Sequence, residues 1–255
     1  MNGRLEGKVI IITGSTRGIG RGIALAAARE GAKVVVSGRN ESEGRKVVEE
    51  IHNLGGDGIF VRTDITNISD CKNLIEQAEI HFGKLDGLVN NAGIFPRASL
   101  LETDENLFDE VFAVNVKGAF FCTKYAIEAM MRNNGGSIVN IGSTHAFNGA
   151  SKLAAYSCSK GALYTLTLHI ARNYAKYHIR ANWITVGWVI TPGELEVTYK
   201  EGYDEEWLKL KGEERIPMGR FQTPEDIAMG VIYLLSDESE QVTGSELNIT
   251  GGFLP

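Results

Sequence analysis

The chain of 255 residues is short of several things, and each shortage narrows what it can be. No stretch approaches the ~18 uninterrupted apolar residues of a membrane-spanning helix, so no membrane partner is expected. The opening Met1-Asn2-Gly3-Arg4-Leu5-Glu6-Gly7 lacks an apolar core, so no secretory leader is expected. There is no excess of basic residues: 26 Lys and Arg stand against 32 Asp and Glu, a formal net charge of −6. Phosphate backbones need a basic surface, so nucleic acid is a poor candidate partner. The three cysteines, Cys71, Cys122 and Cys158, are too few, too scattered and of the wrong parity for a disulfide framework. A cytoplasmic, reducing setting is expected. Five histidines show no metal-ligand spacing, so no catalytic metal is expected. Repeats, low-complexity tracts and Pro- or Ser-rich linkers are also missing, which leaves residues 1–255 as one domain.

What is present is ordinary for a globular chain: 43% hydrophobic and 23% charged residues, which excludes global disorder. Glycine is the exception. There are 30, well above the usual ~7%, so the backbone must turn tightly or be approached closely in several places.

Strand-like and helix-like segments alternate. Residues 8–13 are a short β-branched run, apolar on both faces, as in a buried parallel strand. Ile19, Ile23 and Ala27 then recur at helical spacing, and Gly31 ends that helix. The pattern repeats with strands at 32–37, 58–63, 85–90, 137–142, 179–185 and a short one at 245–249. Helices are expected at 41–53, after the cap Asn67, and over the long segments 105–132 and 154–177. Thr223-Pro224-Glu225-Asp226 reads as a further helix start, with a capping Thr, a Pro in the first turn and two acids facing the dipole. Such alternation means an α/β fold: a seven-stranded, doubly wound parallel sheet with helices on both faces. Ligands bind such sheets at the carboxyl ends of the strands.

After the first strand comes Thr13-Gly14-Ser15-Thr16-Arg17-Gly18-Ile19-Gly20. Glycines at 14, 18 and 20 remove side chains where a pyrophosphate approaches backbone amides at a helix N-terminus. With a strand before and a helix after, this turn reads as a nucleotide site. The spacing is G-x-x-x-G-x-G. Asn90-Asn91-Ala92-Gly93 follows the fourth strand, and Asn115 lies in the next helix. Ser143 follows the fifth strand, and Tyr156-Ser157-Cys158-Ser159-Lys160 begins thirteen residues beyond it. In this set and order, over residues 6–252, the chain resembles the classical short-chain dehydrogenases/reductases, which implies a Rossmann-type domain and a nicotinamide cofactor.

The end of the second strand reads Val36-Ser37-Gly38-Arg39-Asn40. An acid there would pair with the adenosine ribose and repel a 2′-phosphate. Gly38 stands where the NAD-type members carry Asp, and Arg39 and Arg17 supply two cations. NADP(H) is therefore favoured over NAD(H). The resemblance further implies that Asp64 and the adjoining Ile65 meet the adenine and that Asn91, Ala92 and Gly93 line the adenosine ribose. Gly14, Ser15, Thr16, Arg17, Gly18, Ile19 and Gly20 would form the phosphate turn. Val189 and Thr191 would hold the carboxamide. Asn90 is read as a sheet pin.

Tyr156 and Lys160, four apart on a helix, share a face. An isolated tyrosine has a pKa of ~10, and a neighbouring ammonium favours its phenolate. Tyr156 is thus expected as general acid and base, with Lys160 tuning it. By resemblance, Lys160 also holds the nicotinamide ribose, Ser143 orients the substrate oxygen and Asn115 holds a relay water. His145 is a candidate pocket residue; Gly142-Ser143-Thr144-His145-Ala146 is not the nucleophile elbow of a hydrolase.

The chain departs from the family at Val186, where Pro is usual, and at Thr250, where Asp is usual. Residues 193–217 are acidic and aromatic and are read as a helical lid over the substrate. Most of its acids are read as a solvated face, and Glu194 as a polyol contact. The expected reaction interconverts a secondary alcohol and a ketone, the substrate being a sugar, polyol or small ketone. Two alternatives remain: a 3-oxoacyl thioester reductase, with Arg172 and Lys176 contributing a basic patch, and a non-catalytic dinucleotide-binding sensor or scaffold. The resemblance implies a homotetramer built on the two long helices.

Overall fold

Val9, Ile10, Ile11 and Ile12 form the central strand β1 (Val9–Ile12), and all four are fully buried. Alternation explains how. Ile10 and Ile12 join the core layer on one face of the sheet, and Val9 and Ile11 join the layer on the other. Burying each such side chain contributes about 1.5–3 kcal/mol, so this strand is anchored from both sides. The computed structural model describes residues 3–253; Met1, Asn2, Leu254 and Pro255, the outer ends of the expected domain, lie outside the described residues.

Six further strands join β1: β2 (Lys33–Gly38), β3 (Asp57–Arg62), β4 (Gly87–Asn90), β5 (Gly136–Ile141), β6 (Ile179–Val186) and β7 (Glu246–Ile249). They form one seven-stranded sheet in the order β3-β2-β1-β4-β5-β6-β7, parallel at every pairing. The order reverses at β1, which lies between β2 and β4. That reversal opens a crevice at the carboxyl ends of the strands.

The helices are α1 (Gly18–Arg29), α2 (Glu41–Asn53), α3 (Ile68–Phe82), α4 (Glu105–Phe112), α5 (Ala119–Arg132), α6 (His145–Asn148), α7 (Ala154–Tyr174), α8 (Pro192–Lys200), α9 (Glu205–Arg215) and α10 (Pro224–Leu235). Helices α1, α2 and α10 cover one face through Ile23, Ile51 and Val231; α3, α5 and α7 cover the other through Leu74, Ala126 and Ile170. No helix among the described residues is long and apolar enough to cross a membrane.

Local signals set the helix ends. Gly31 (φ 84°) terminates α1: its amide bonds to Ala28 O at 3.0 Å and that of Ala32 to Ala27 O at 3.0 Å. Asn67 caps α3 by accepting from Ser69 N at 3.0 Å. Thr223 and Asp226 form a reciprocal capping box on α10.

Two expected helices are less regular than their periodicity suggests. The 105–132 segment is interrupted by a π-helical turn (Ala113–Gly118) that contains Asn115. The 154–177 segment is α-helical to Tyr174 and tightens to a 3₁₀ turn (Ala175–Tyr177). Hydrophobic spacing does not resolve a change of one residue per turn. Val186 lies inside β6, paired with Ile249 of β7, where a proline would have no amide to donate to a ladder.

Candidate active site

A cleft of about 600 Å³ runs along the carboxyl ends of the strands. Every site residue expected from the sequence lines it except Ser15, Gly20 and Asn115. Those three act from behind it. Ser15 is fully buried; its hydroxyl donates to Ile12 O at 2.7 Å and accepts from Ser37 N at 3.0 Å, tying the glycine turn to β1 and β2. A side chain on Gly20 would meet Asn91 Nδ2 and Gly14 O at 2.5 Å, so glycine there lets α1 pack against the turn and the end of β4.

Gly14 (φ 64°) and Gly18 (φ 58°) hold left-handed backbone conformations that send the turn into α1. That helix begins with no side-chain cap and no acid in its first turn. By contrast α2, α3, α4, α8, α9 and α10 each have both. The first amides of α1 thus lack side-chain acceptors, and the positive end of its dipole is not offset by a carboxylate, an arrangement that suits a diphosphate.

The turn is held from β4. Asn91 Nδ2 donates to Thr13 O (2.9 Å) and Gly14 O (3.1 Å), and the amides of Asn91 and Ala92 both donate to Thr13 Oγ1 at 3.0 Å. The Asn91 side chain therefore shapes the turn while the residue lines the cleft. Asn90 pins the sheet, donating to Asn140 Oδ1 at 2.8 Å and Thr123 Oγ1 at 2.9 Å.

At the end of β2, a side chain on Gly38 would press on Thr16 Cγ2 at 2.7 Å. Arg39 next to it is exposed and has no ion-pair partner among the described residues. Arg17 is less free: its guanidinium meets Glu196 Oε1 of α8 at 3.1 Å. Asp64 accepts from the hydroxyl (2.7 Å) and amide (3.0 Å) of Thr66. These bonds hold its carboxyl below the usual range, and the Arg39 and Arg62 charges add to the effect.

On the catalytic side, helix α7 carries Tyr156 and Lys160 one turn apart, and Lys160 Nζ lies 5.7 Å from the Tyr156 ring centroid. The ammonium donates to Ile141 O, the end of β5, at 2.8 Å. Phe95 packs edge-on against the tyrosine ring, centroids 6.3 Å apart. The net shift of the phenol runs opposite to the acidification that a neighbouring ammonium suggests. Burial disfavours the phenolate and pushes the Tyr156 hydroxyl up to about 12; Ser143 opposes this and the charge of Glu194 adds to it. Burial likewise lowers Lys160 to about 8. Desolvation is the largest of these causes and sets the direction of the shift.

Asn115 is fully buried in the π-helical turn. Its Nδ2 donates to Ile94 O (2.9 Å) and Ser159 Oγ (3.0 Å), and its Oδ1 accepts from Ile94 N (2.8 Å). Both amide hydrogens are engaged, so this side chain fixes the segment after β4 against α7.

Across the cleft, Thr191 accepts from Glu194 N at 3.2 Å and so caps α8. Val189 forms an isolated bridge with Gln222 that holds the strand-to-lid segment. Glu194 is only 9% exposed; its Oε1 accepts from Trp188 Nε1 at 2.7 Å and lies 3.5 Å from the Arg97 guanidinium. Arg97 Nε also meets Glu201 at 3.0 Å. His145 lines the cleft, its amide bonded to Ser143 Oγ at 3.2 Å and its ring to Asn148 at 3.1 Å. Sequence reasoning missed Phe95, Arg97 and Trp188. They belong to no spaced motif, although Trp188 and the basic Arg97 do follow strands β6 and β4, where cleft residues are expected.

With this geometry in hand, residues 14–254 match a family model described as enoyl-(acyl carrier protein) reductase. The chain is 40% identical over 247 residues to an uncharacterized oxidoreductase of Thermotoga maritima, covering 97% of each. It is 37% identical to 2-(S)-hydroxypropyl-CoM dehydrogenase 3 of Xanthobacter autotrophicus, covering 99% of this chain and 98% of that one. A solved short-chain type dehydrogenase/reductase from Mycobacterium marinum superposes with a TM-score of 0.87 at 31% identity, over 98% of this chain and 96% of the other. The chain belongs to the classical short-chain dehydrogenase/reductase family. It is an oxidoreductase of that family, and its nucleotide cofactor is NAD(P).

Proposed function

We propose that the chain interconverts a ketone and a secondary alcohol with NADP(H), Tyr156 serving as proton donor and acceptor. The observation that carries this reading is the convergence of Tyr156, Ser143 and Lys160 on the cleft that also holds the glycine turn. When bound, the nicotinamide cofactor would supply the hydride chemistry at the carbonyl carbon. The side chains of this protein manage the oxygen. As the new C–H bond forms, the carbonyl π pair moves onto oxygen, and the Tyr156 O–H delivers its proton there. An alkoxide is a stronger base than a phenolate, so transfer of the Tyr156 proton to it runs downhill. Ser143 orients that oxygen. The Lys160 ammonium stabilises the phenolate left behind, and Asn115 keeps α7 and the strand end in register.

Residues 14–20 and the start of α1 would hold the diphosphate, Asp64 and Ile65 the adenine, Asn91, Ala92 and Gly93 the ribose. Lys160 would hold the second ribose, and Val189 and Thr191 the carboxamide. NADP(H) is favoured over NAD(H) because no acid ends β2 and Arg39 is an uncommitted cation beside the cleft. Residues 193–217, folded as α8 and α9, act as the substrate lid. The substrate is a small ketone, sugar or polyol. Phe108, Phe120 and Leu168, exposed on α4, α5 and α7, suit a homotetramer, which light scattering tests. Three free cysteines suit the cytoplasm.

A ketone panel followed by the loss of NADPH and NADH absorbance tests the reading. Consumption of NADPH with at least one ketone, faster than of NADH, is expected. A protein that binds NADPH and reduces no ketone defeats it.

A further inference from the structure

We infer that Glu194, fixed by Trp188 and Arg97, is a hydroxyl-recognition site that selects ketones bearing a hydroxyl on the carbon beside the carbonyl. The inference rests on the reading of Tyr156 as proton donor and names the substrate class of that site.

Three observations carry it. First, Glu194 is a nearly buried carboxylate that lines the catalytic cleft, an expensive placement unless the charge is matched. Second, the matching is one-sided. Trp188 Nε1 at 2.7 Å and the Arg97 guanidinium at 3.5 Å both address Oε1. Oε2 accepts no hydrogen bond from the described residues, and Glu194 lines the cleft, which leaves an acceptor for a ligand there. Third, Glu194 shares the cleft with the chemistry: it lines the same cavity as Tyr156 and Ser143, and its charge raises the Tyr156 phenol.

The chemistry of the donor follows. Arg97 already balances the carboxylate, so a substrate ammonium would face a cation within a few bonds, whereas a neutral hydroxyl donates without that repulsion. Tyr156, Ser143 and Glu194 line one cleft, so a small hydroxyketone would offer its ketone to the first two and its hydroxyl to the third. Phe95, Leu153 and Trp188 wall the same cleft and accept the hydrocarbon remainder. Arg97 is a positioning residue: it also bonds Glu201, so it ties the segment after β4 to both ends of α8 and sets the direction of the Glu194 carboxylate.

The test compares hydroxyacetone with butan-2-one, which differ only by hydroxyl against methyl. For the wild type, kcat/KM favours hydroxyacetone by about tenfold to a hundredfold, the value of a hydrogen bond to a charged group. In Glu194→Ala the ratio falls to about one. In Arg97→Met it falls severalfold through KM, and Arg97→Lys restores much of it; a purely structural role for Arg97 would move both ketones together. Aminoacetone is the poorer substrate. Because ratios are taken within each variant, partial loss of folded protein does not affect them.

A second measurement needs no turnover: tryptophan fluorescence of the NADP-bound protein titrated with propane-1,2-diol and butan-2-ol, before and after Glu194→Ala. Tighter binding of the diol, lost in the variant, supports the inference even where no ketone is reduced; that pattern defeats the reductase reading alone. A wild type that reduces both ketones with equal kcat/KM, or prefers aminoacetone, overturns the inference and leaves the reductase reading standing. Failure to discriminate in both turnover and binding overturns it as well.

Discussion

The two halves of the cleft are built differently. On the nucleotide side the shape comes from main chain and missing side chains: left-handed Gly14 and Gly18, a close contact at Gly20, and amides gathered on Thr13 Oγ1. On the substrate side it comes from charged and aromatic side chains brought together from residues 97, 188, 194 and 201. A cradle of main-chain groups suits a cofactor common to many enzymes, whereas a side-chain cluster can change with the substrate. That division predicts that affinity for the shared molecule and choice of the private one can be changed separately by mutation.

The largest expected effect lies at the boundary. Tyr156→Phe should lower kcat for ketone reduction by about 10²–10⁴-fold, with NADPH affinity, read by fluorescence titration, within about twofold of wild type. A matching loss of NADPH binding would merge the two halves. Next comes Arg39→Ala, which should weaken NADPH about tenfold or more and leave NADH within about twofold. Equal losses would show that Arg39 does not read a 2′-phosphate.

Between these and the smallest lies pH. Lys160 is lowered to about 8, so its charge is lost as pH rises through that value, and with it the stabilisation of the phenolate. Reduction should therefore fall severalfold across that window. The Tyr156 acid, at about 12, should still be protonated there. Removing the Glu194 charge by Glu194→Gln should move the tyrosine limb to lower pH, because that charge raises the phenol. A pH–rate profile with no change near 8 would detach Lys160 from the chemistry. Last, Glu196→Gln releases Arg17 from an exposed pair, and such pairs contribute little. NADPH affinity should rise by only about twofold; a larger gain would mean that α8 restrains the nucleotide side strongly.

What could be seen in the sequence follows the same division. The sheet was legible because buried strands such as 9–12 are apolar on both faces, and their neighbours end in glycine or capping residues. The glycine turn and the grouping of Ser143, Tyr156 and Lys160 on one cleft were legible because both rest on local spacing. The Arg97–Glu194–Trp188 cluster was not: its members are charges and an indole on separate loops, and only folding pairs them. Nor was the burial of the Tyr156 phenol, since spacing reports a neighbouring cation but not how much water is excluded. The acids of 193–217 were read as a solvated face. Glu194 was kept apart as a pocket residue, and the structure buries it in the cleft, while Glu196 and Glu201 instead reach Arg17 and Arg97.

The π-helical turn at Ala113–Gly118 has a consequence for editing the gene. A wider turn holds one residue more than an α-turn, so the stretches before and after it are offset in rotational phase by ~100° from a continuous α-helix. Deleting a single amino acid there would regularise the rod and swing Asn115 off Ile94 and Ser159. Helical content measured by circular dichroism would hardly change, yet the alignment of the catalytic helix with the fourth strand would be lost.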